Sequence, residues 1–389
     1  MGGGLELEES RDILELVWVS LQPFLKLNGY VTRPRYQPDW QPSWAGVKDV
    51  GSYLLYEDSV FGYRHHVLDA VRQSDGLNVM LKQVPKHNGD QSERHMSFFG
   101  DEIRGQDPRN HCLPLLDVLH PTDYDFSILV APRLLPWDLW PFVRISEITD
   151  FIGQLFEGLA FMHEHNFAHF DVGVLNVMMD GIHLFTEPHH PMRPHRVLSG
   201  FGKPRHLERH QSPHPIKYYF IDFEYSVHFD SFADRVPMKR PGAADRTVPE
   251  EKTKEPCDPF AVDVYCAGNI IRTELLAVYS NLEFVRELVD SMTQVDPSSR
   301  PSASDVTLRF ASICATLSEE QLLETPLRRS TRKASRFRFW ERSSSAVNRS
   351  AQGQAERHNN LLRTLFSTFR WTTTKDMSSS NNPTAVAAS

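Results

Sequence analysis

Asp171 and Asn176 stand five residues apart in "HFDVGVLN", Asp222 follows an apolar run in "KYYFIDFEYS", and Lys82 closes the run "NVMLK". Two carboxylates, an amide and an ammonium are what phosphoryl transfer to a hydroxyl asks of a protein: an oriented acceptor, a cation across the phosphates, and positive charge on them. Asp171 could accept or orient the acceptor's proton. Asn176 and Asp222 offer hard oxygen ligands suited to magnesium, and Lys82 could hold phosphates. Each residue also has a plain alternative, because His-x-Asp is commonly a surface turn and a strand lysine commonly faces solvent. The weight therefore rests on the order and spacing of all four.

The elements that would position them are legible in the texture of the chain. Its 389 residues are 40% hydrophobic and 24% charged, which suits an ordinary globular protein with room for two lobes and excludes disorder as a whole. A net charge of −8 argues against wholesale nucleic-acid binding. Cys112, Cys257, Cys266 and Cys314 lack Cys-x-x-Cys spacing, which gives little support to a thiolate zinc site or disulfide framework and points to a reducing intracellular compartment, cytoplasmic or nuclear. No apolar run is long enough to span a bilayer, so no membrane span is expected. The opening "MGGGLE" carries Glu6 where a myristoylation start needs Ser or Thr.

Leu7, Ile13, Leu14, Val17, Trp18 and Leu21 fall at helical spacing, and Pro23 is expected to end that helix. A Pro/Trp-rich strap follows, so residues 1–50 read as an extension. The runs "SYLLYE", "HHVLDAV", "LNVMLKQV", "CLPLLDVLH" and "FSILVAP" predict an antiparallel sheet over residues 51–136, interrupted by a short helix around Phe98 to Arg104. Helical periodicity dominates 137–316, and the basic, Ser/Thr-rich stretch 317–389 reads as a disordered tail. Within it "RRSTRKASRFRFWER" could serve as a nuclear-localisation or anionic-surface patch.

The set strand-Lys, long helix, His-x-Asp-x-x-x-x-Asn, strand, Asp-Phe resembles the protein kinase signature. The resemblance runs over about residues 51–316, through "TVPE", "DPFAVDVYCAG" and "DPSSRPSASDV". The "DPF-x-VDVY" style is most similar to kinase-like proteins of mushroom-forming fungi. The resemblance implies an α+β, bilobal, protein-kinase-like fold, with a small antiparallel β-rich N-lobe and a larger, mainly helical C-lobe. It implies ATP and Mg2+ as cofactors and a protein hydroxyl, serine or threonine, as acceptor. Lys82 becomes the phosphate-binding lysine, with Glu102 in "FFGDEIR" as its helix partner and Glu93 as fallback. Asp171 becomes the catalytic aspartate, and Asn176 and Asp222 the magnesium ligands. Pro132 (through its carbonyl) and Leu134 (through its amide) become the adenine contacts, behind Ala131 as a small gatekeeper. Asp263 would brace the catalytic loop, Gly268 would be a small packing partner, and Arg300 would pair with Glu250.

Several positions depart from that pattern. Gly62 stands alone where the family has a glycine-rich loop, Phe170 replaces the arginine that reads an activation phosphate, and Gly173 replaces the catalytic-loop lysine. Glu224 stands where the family has a glycine, and as a third metal ligand it makes "IDFEYS" resemble choline and aminoglycoside kinases. Three readings follow: an active protein kinase, a nucleotide-binding pseudokinase that scaffolds a partner, and a small-molecule kinase. The His/Pro-rich insertion 183–216, with seven histidines at no standard ligand spacing, reads as a flexible surface loop beside the cleft, a candidate docking or lid element.

Overall fold

Alternation along three strands builds the first lobe. Val79 and Leu81 point to one face of the strand Asn78–Pro85, while Met80 and Lys82 point to the other. The first face needs a cover, and the N-terminal helix supplies it. α1 (Ile13–Leu27) lays Trp18, Leu21 and Leu25 against Leu68, Val79, Leu81, Ile128 and Val130. Burying each leucine there stabilises by about 1.5–3 kcal/mol. Pro23 does not end this helix; it sits inside it on the exposed side, where a missing amide costs least.

The computed structural model describes residues 11, 13–45, 56–60, 64–86, 91–198, 202–242 and 245–329. The chain divides into two units, Met1–Lys333 and Ala334–Ser389, and all of the second lies outside the described residues. So do Gly62 and all but the last two residues of the expected strand "SYLLYE", and of these two Glu57 begins a 3-10 turn, not a strand.

The sheet comprises β1 (Tyr30–Thr32), β2 (Val67–Arg72), β3 (Asn78–Pro85), β4 (Asp117–Leu119) and β5 (Phe126–Pro132) in the order β1-β2-β3-β5-β4, antiparallel throughout. Its first strand comes from the extension 1–50, at the junction of the helix and the Pro/Trp-rich strap, since Tyr30, Val31 and Thr32 pair with Arg72, Val71 and Ala70. The sheet therefore begins well before residue 51. α2 is Ser92–Phe99, earlier than the helix expected around Phe98 to Arg104. Asn110 explains the stop: its side-chain amide donates to the carbonyls of Phe99 and Arg104 at 2.8 and 2.9 Å and fixes the turn.

The second lobe is helical. β6 (Leu135–Pro136) leads to α3 (Ile145–Glu164), followed by β7 (Phe167–Ala168), β8 (Val177–Met179), β9 (His189–His190), β10 (Arg193–Val197), β11 (Tyr218–Phe220) and β12 (Val227–His228). Four helices complete it: α4 (Pro259–Ile270), α5 (Arg286–Met292), α6 (Ala303–Cys314) and α7 (Glu319–Leu323). This is an α+β, bilobal, kinase-like fold. Two glycines permit its tightest contacts. A Cβ on Gly158 would lie 2.5 Å from His111 Cβ, and one on Gly268 2.8 Å from Met292 Cβ.

The insertion 183–216 is anchored where described. Arg209 is buried and donates to the carbonyls of Trp137, Trp140 and Pro141, while the His210 ring meets Glu147 at 2.9 Å. His206 stacks on Trp140, with ring centroids 4.3 Å apart. These buried charges and stacked rings overrule the proline content that suggested a flexible loop. The expected tail boundary also moves. Residues 319–329 pack on the C-lobe: the Glu324 carbonyl accepts from the buried Ile145 amide at 2.9 Å, and Arg329 donates to the carbonyls of Leu276 and Tyr279 at 3.1 and 3.2 Å. Ending the chain after Ser318 orphans those groups. Compared with a chain ending after Arg329, we expect a loss of about 2 kcal/mol and a melting temperature lower by roughly 3 °C. Equal melting of the two truncations would show that this segment adds nothing.

Candidate active site

The loop from β7 to β8 is held open against its own preference. Phe170 is a non-glycine residue at φ 62°, a left-handed conformation that costs on the order of 1 kcal/mol and needs outside support. Asp263 on α4 supplies it. Its carboxylate, 0% exposed, accepts from the amides of His169 and Phe170, each at 2.7 Å, and meets His163 Nε2 at 3.2 Å. Phe170, where an arginine would sit in the resembling kinases, is buried instead.

From that anchor the polar groups follow in contact. His169 is buried, donates from Nε2 to the Ile221 carbonyl at 3.0 Å, and accepts at Nδ1 from the Asp171 amide at 3.3 Å. The Asn176 side-chain amide donates to the Asp171 carboxylate at 2.8 Å and to its carbonyl at 2.9 Å, which leaves the Asn176 amide oxygen as its ligand atom. The Ile221 amide donates to the Asn176 carbonyl at 3.0 Å. The next residue, Asp222, also takes a left-handed φ, 68°, and turns its carboxylate to Lys82 Nζ at 2.6 Å. The structure thus gathers Lys82, Asp171, Asn176 and Asp222 around one cleft.

Asp222 is held as a carboxylate. Burial works against its charge, but the Lys82 ammonium, with Arg64 and His169 further off, keeps its pKa below the ordinary value of 3.8. Among the described residues no three His, Cys, Asp or Glu side chains gather closely enough to hold a metal alone. Asn176 and Asp222 nonetheless fit magnesium, which commonly takes one or two protein oxygens and completes its shell with phosphates and water. Glu224 lies on the exposed side of the turn Phe223–Tyr225.

The expected helix partner of Lys82 is not in place. Glu102 falls beyond α2 in an exposed turn, and Glu93 is half-buried in the helix's first turn. Lys82 pairs with Asp222 instead. The α2 residue that faces the site is His95, missed in the sequence: it is buried, its Nδ1 meets the Phe223 carbonyl at 3.2 Å, and one turn later Phe99 packs near the Phe223 ring. The available signal was His95 four residues before Phe99, the helical spacing that puts both on one face.

At the hinge, β5 ends with Ala131 paired to Met80 and Pro132 to Val79, and Leu134 is buried. Arg133 donates its backbone amide to Asn78 at 3.0 Å. Below the cleft, Glu250 and Arg300 form the expected pair, a buried fork with N–O distances of 2.6 and 2.9 Å.

No protein-family model matches the chain. Over 193 residues it is 28% identical to the serine/threonine-protein kinase ULK3 of Xenopus laevis, an alignment covering 47% of this chain and 39% of that protein. The chain thus spans about two fifths of the relative's length. It is distantly similar to a protein kinase. No helix among the described residues is long and apolar enough to cross a membrane.

The lowered pKa of Asp222 sets a sign for acid stability. A carboxyl that holds its proton less tightly when folded stabilises the fold above its ordinary 3.8, and that contribution disappears as pH falls through the folded value. Between pH 5 and 3, melting of the wild type should therefore fall more steeply than melting of Asp222→Asn. Parallel pH profiles would show that the Lys82 contact does not stabilise the folded chain.

Proposed function

We propose that this protein is a kinase-like phosphotransferase that moves the terminal phosphoryl group of ATP, with Mg2+, to a serine or threonine hydroxyl of a protein. The observation that carries the reading is the continuous chain of contacts from Asp263 through His169, Asp171 and Asn176 to Asp222 and Lys82. Each acts at a stated atom. The Asp171 carboxylate orients the acceptor hydroxyl and receives its proton. The Asn176 amide oxygen and the Asp222 carboxylate hold the magnesium, which when bound shields the negative charge that repels an attacking oxygen. The Lys82 ammonium turns to the phosphates, and the Pro132 carbonyl and Leu134 amide face the adenine edge. Glu224, on the exposed side of its turn, is at most an additional metal ligand.

A second reading has its own support. With His95 on the α2 face where the carboxylate was expected, Lys82 has no helix acid to hold it once Asp222 turns to magnesium. A nucleotide-binding scaffold with little catalysis follows from that. The small-molecule kinase reading draws no comparable observation. The domain plan proposed is an N-lobe of residues 13–136, a C-lobe of 137–329 with the 183–216 insertion, and a basic tail beyond.

The test is thermal melting of the full chain with ATP and MgCl2, beside Lys82→Met and Asp222→Asn, with phosphate transfer to a generic basic protein as the second readout. At a hundredfold excess over Kd, nucleotide should stabilise by about 2.7 kcal/mol, magnesium should be required, and both substitutions should remove the shift. Asp171→Asn should keep the shift and lower transfer by roughly 10²-fold or more. A shift without any transfer selects the scaffold, and no shift at all sinks both readings.

A further inference from the structure

Two buried guanidinium groups lie within electrostatic reach of each other at the hinge end of the cleft, and one of them, Arg133, has no carboxylate in contact among the described residues: Asp69, which Arg33 holds, acts on it only at longer range. Arg33 follows β1 on the sheet face that carries Lys82. Its Nε donates to both Asp69 oxygens at 2.9 and 3.0 Å, and NH1 donates to Glu57 at 2.8 Å and to the Val60 carbonyl at 3.0 Å. Arg33 is 9% exposed, and its NH2 is buried without a partner. Arg133, 5% exposed, has no carboxylate within ion-pair distance among the described residues. Its NH2 donates to His189 Nε2, and its Nε is buried without a partner.

The histidines around it do not supply negative charge. Phe185 stacks on His189 with ring centroids 3.5 Å apart, and burial, with Arg133 beside it, pushes the His189 pKa down to about 3. His190 donates from Nε2 to the Glu57 carbonyl at 3.1 Å and accepts at Nδ1 from Met192 at 3.1 Å, so it too is a neutral ring. Burial, then Arg33, pushes its pKa down to about 4. A buried cation in contact only with a neutral ring, sharing Asp69 at longer range with Arg33, is incompletely neutralised, and an anion beside it offsets that cost. The guanidinium fork suits the paired oxygens of a phosphoryl-type anion.

We propose that Arg133 and Arg33 form an oxyanion-binding subsite for a phosphoryl group at the hinge, closed on its outer side by β9 and β10 of the insertion. It is separate from the Lys82 site: Arg133 pairs beside Asn78, four residues along β3 from Lys82, or roughly 13 Å. The subsite goes beyond the phosphoryl-transfer reading and does not depend on it.

The experiment is thermal melting of the full chain in sodium phosphate against sodium chloride at equal ionic strength, with Arg133→Met and Lys82→Met alongside. Phosphate near ten times its Kd should raise the wild-type melting temperature by roughly 2–4 °C, leave that rise intact in Lys82→Met, and abolish it in Arg133→Met. In chloride, Arg133→Met should melt no lower than the wild type, because burial of the Arg133 charge outweighs the longer-range pull of Asp69; a purely structural arginine would give a marked drop. Should Arg133→Met not fold, the proposal is overturned on that count alone. Amide exchange of wild-type residues 189–197 provides the independent check: phosphate should slow it severalfold and leave α6 unchanged. No phosphate-specific rise in the wild type, a rise that survives Arg133→Met, or a rise lost in Lys82→Met would each overturn the subsite.

Discussion

Everything in the cleft depends on one fully buried carboxylate. Asp263 lies inside α4, far from any solvent that could satisfy it, and the two nearest donors are backbone amides of a loop that would otherwise avoid its own conformation. Neither partner is stable alone: a bare buried carboxylate and a phenylalanine at positive φ are both unfavourable. Together they fix the direction in which the chain leaves β7, and with it the position of Asp171. His169 then carries the constraint to the strand before Asp222 by holding the Ile221 carbonyl. Because α4 is itself locked by the close approach of Gly268 to Met292 and by Arg300 on Glu250, the geometry of the loop is set by the core of the C-lobe.

Much of this was legible because it is local. His169, Asp171 and Asn176 sit on one turn, the apolar run before Asp222 makes a strand, and strands β2, β3 and β5 carry clear alternation. What stayed hidden was long-range. Glu102 has the right residue type near the right place, but Asn110 ends α2 at Phe99 by bonding carbonyls that no pattern in the helix announces. β1 is only three residues long, too short for alternation to register, and becomes a strand because β2 offers an unpaired edge. The insertion looked loose because prolines recur along it, whereas its order comes from Arg209, His206 and His210 reaching residues roughly sixty or more positions away.

Two of these hidden features meet. Over thirty residues separate β1 from β2, and Glu57 among them takes Arg33 at its carboxylate and the His190 ring at its carbonyl. The N-lobe and the insertion therefore touch directly in front of the hinge, with Asp69 and Arg33 on the face that also carries Lys82. A nucleobase end of a cleft is ordinarily apolar. In the proposed reading the hinge is that end, and a charged pair lies beside it, so a base bound there would have polar neighbours as well as Met80.

Lys82 and Asp222 state the remaining tension most plainly. Their contact, with Arg64 and His169 further off, satisfies two charges in a half-buried site, and among the described residues it leaves α2 attached to the site through the His95 ring and Phe99 rather than through an ion pair. In the proposed reading, arriving phosphates with magnesium replace each partner by an ion of the same sign: phosphate takes the place of Asp222 at Lys82, and magnesium takes the place of Lys82 at Asp222. The exchange keeps the sign of the charge facing each group, so neither is left against a like charge for want of a helix carboxylate. What the missing acid removes is directional control of the lysine. Binding and catalysis therefore place different demands on this cleft, since binding needs only the two charges whereas transfer needs Lys82 held in one orientation.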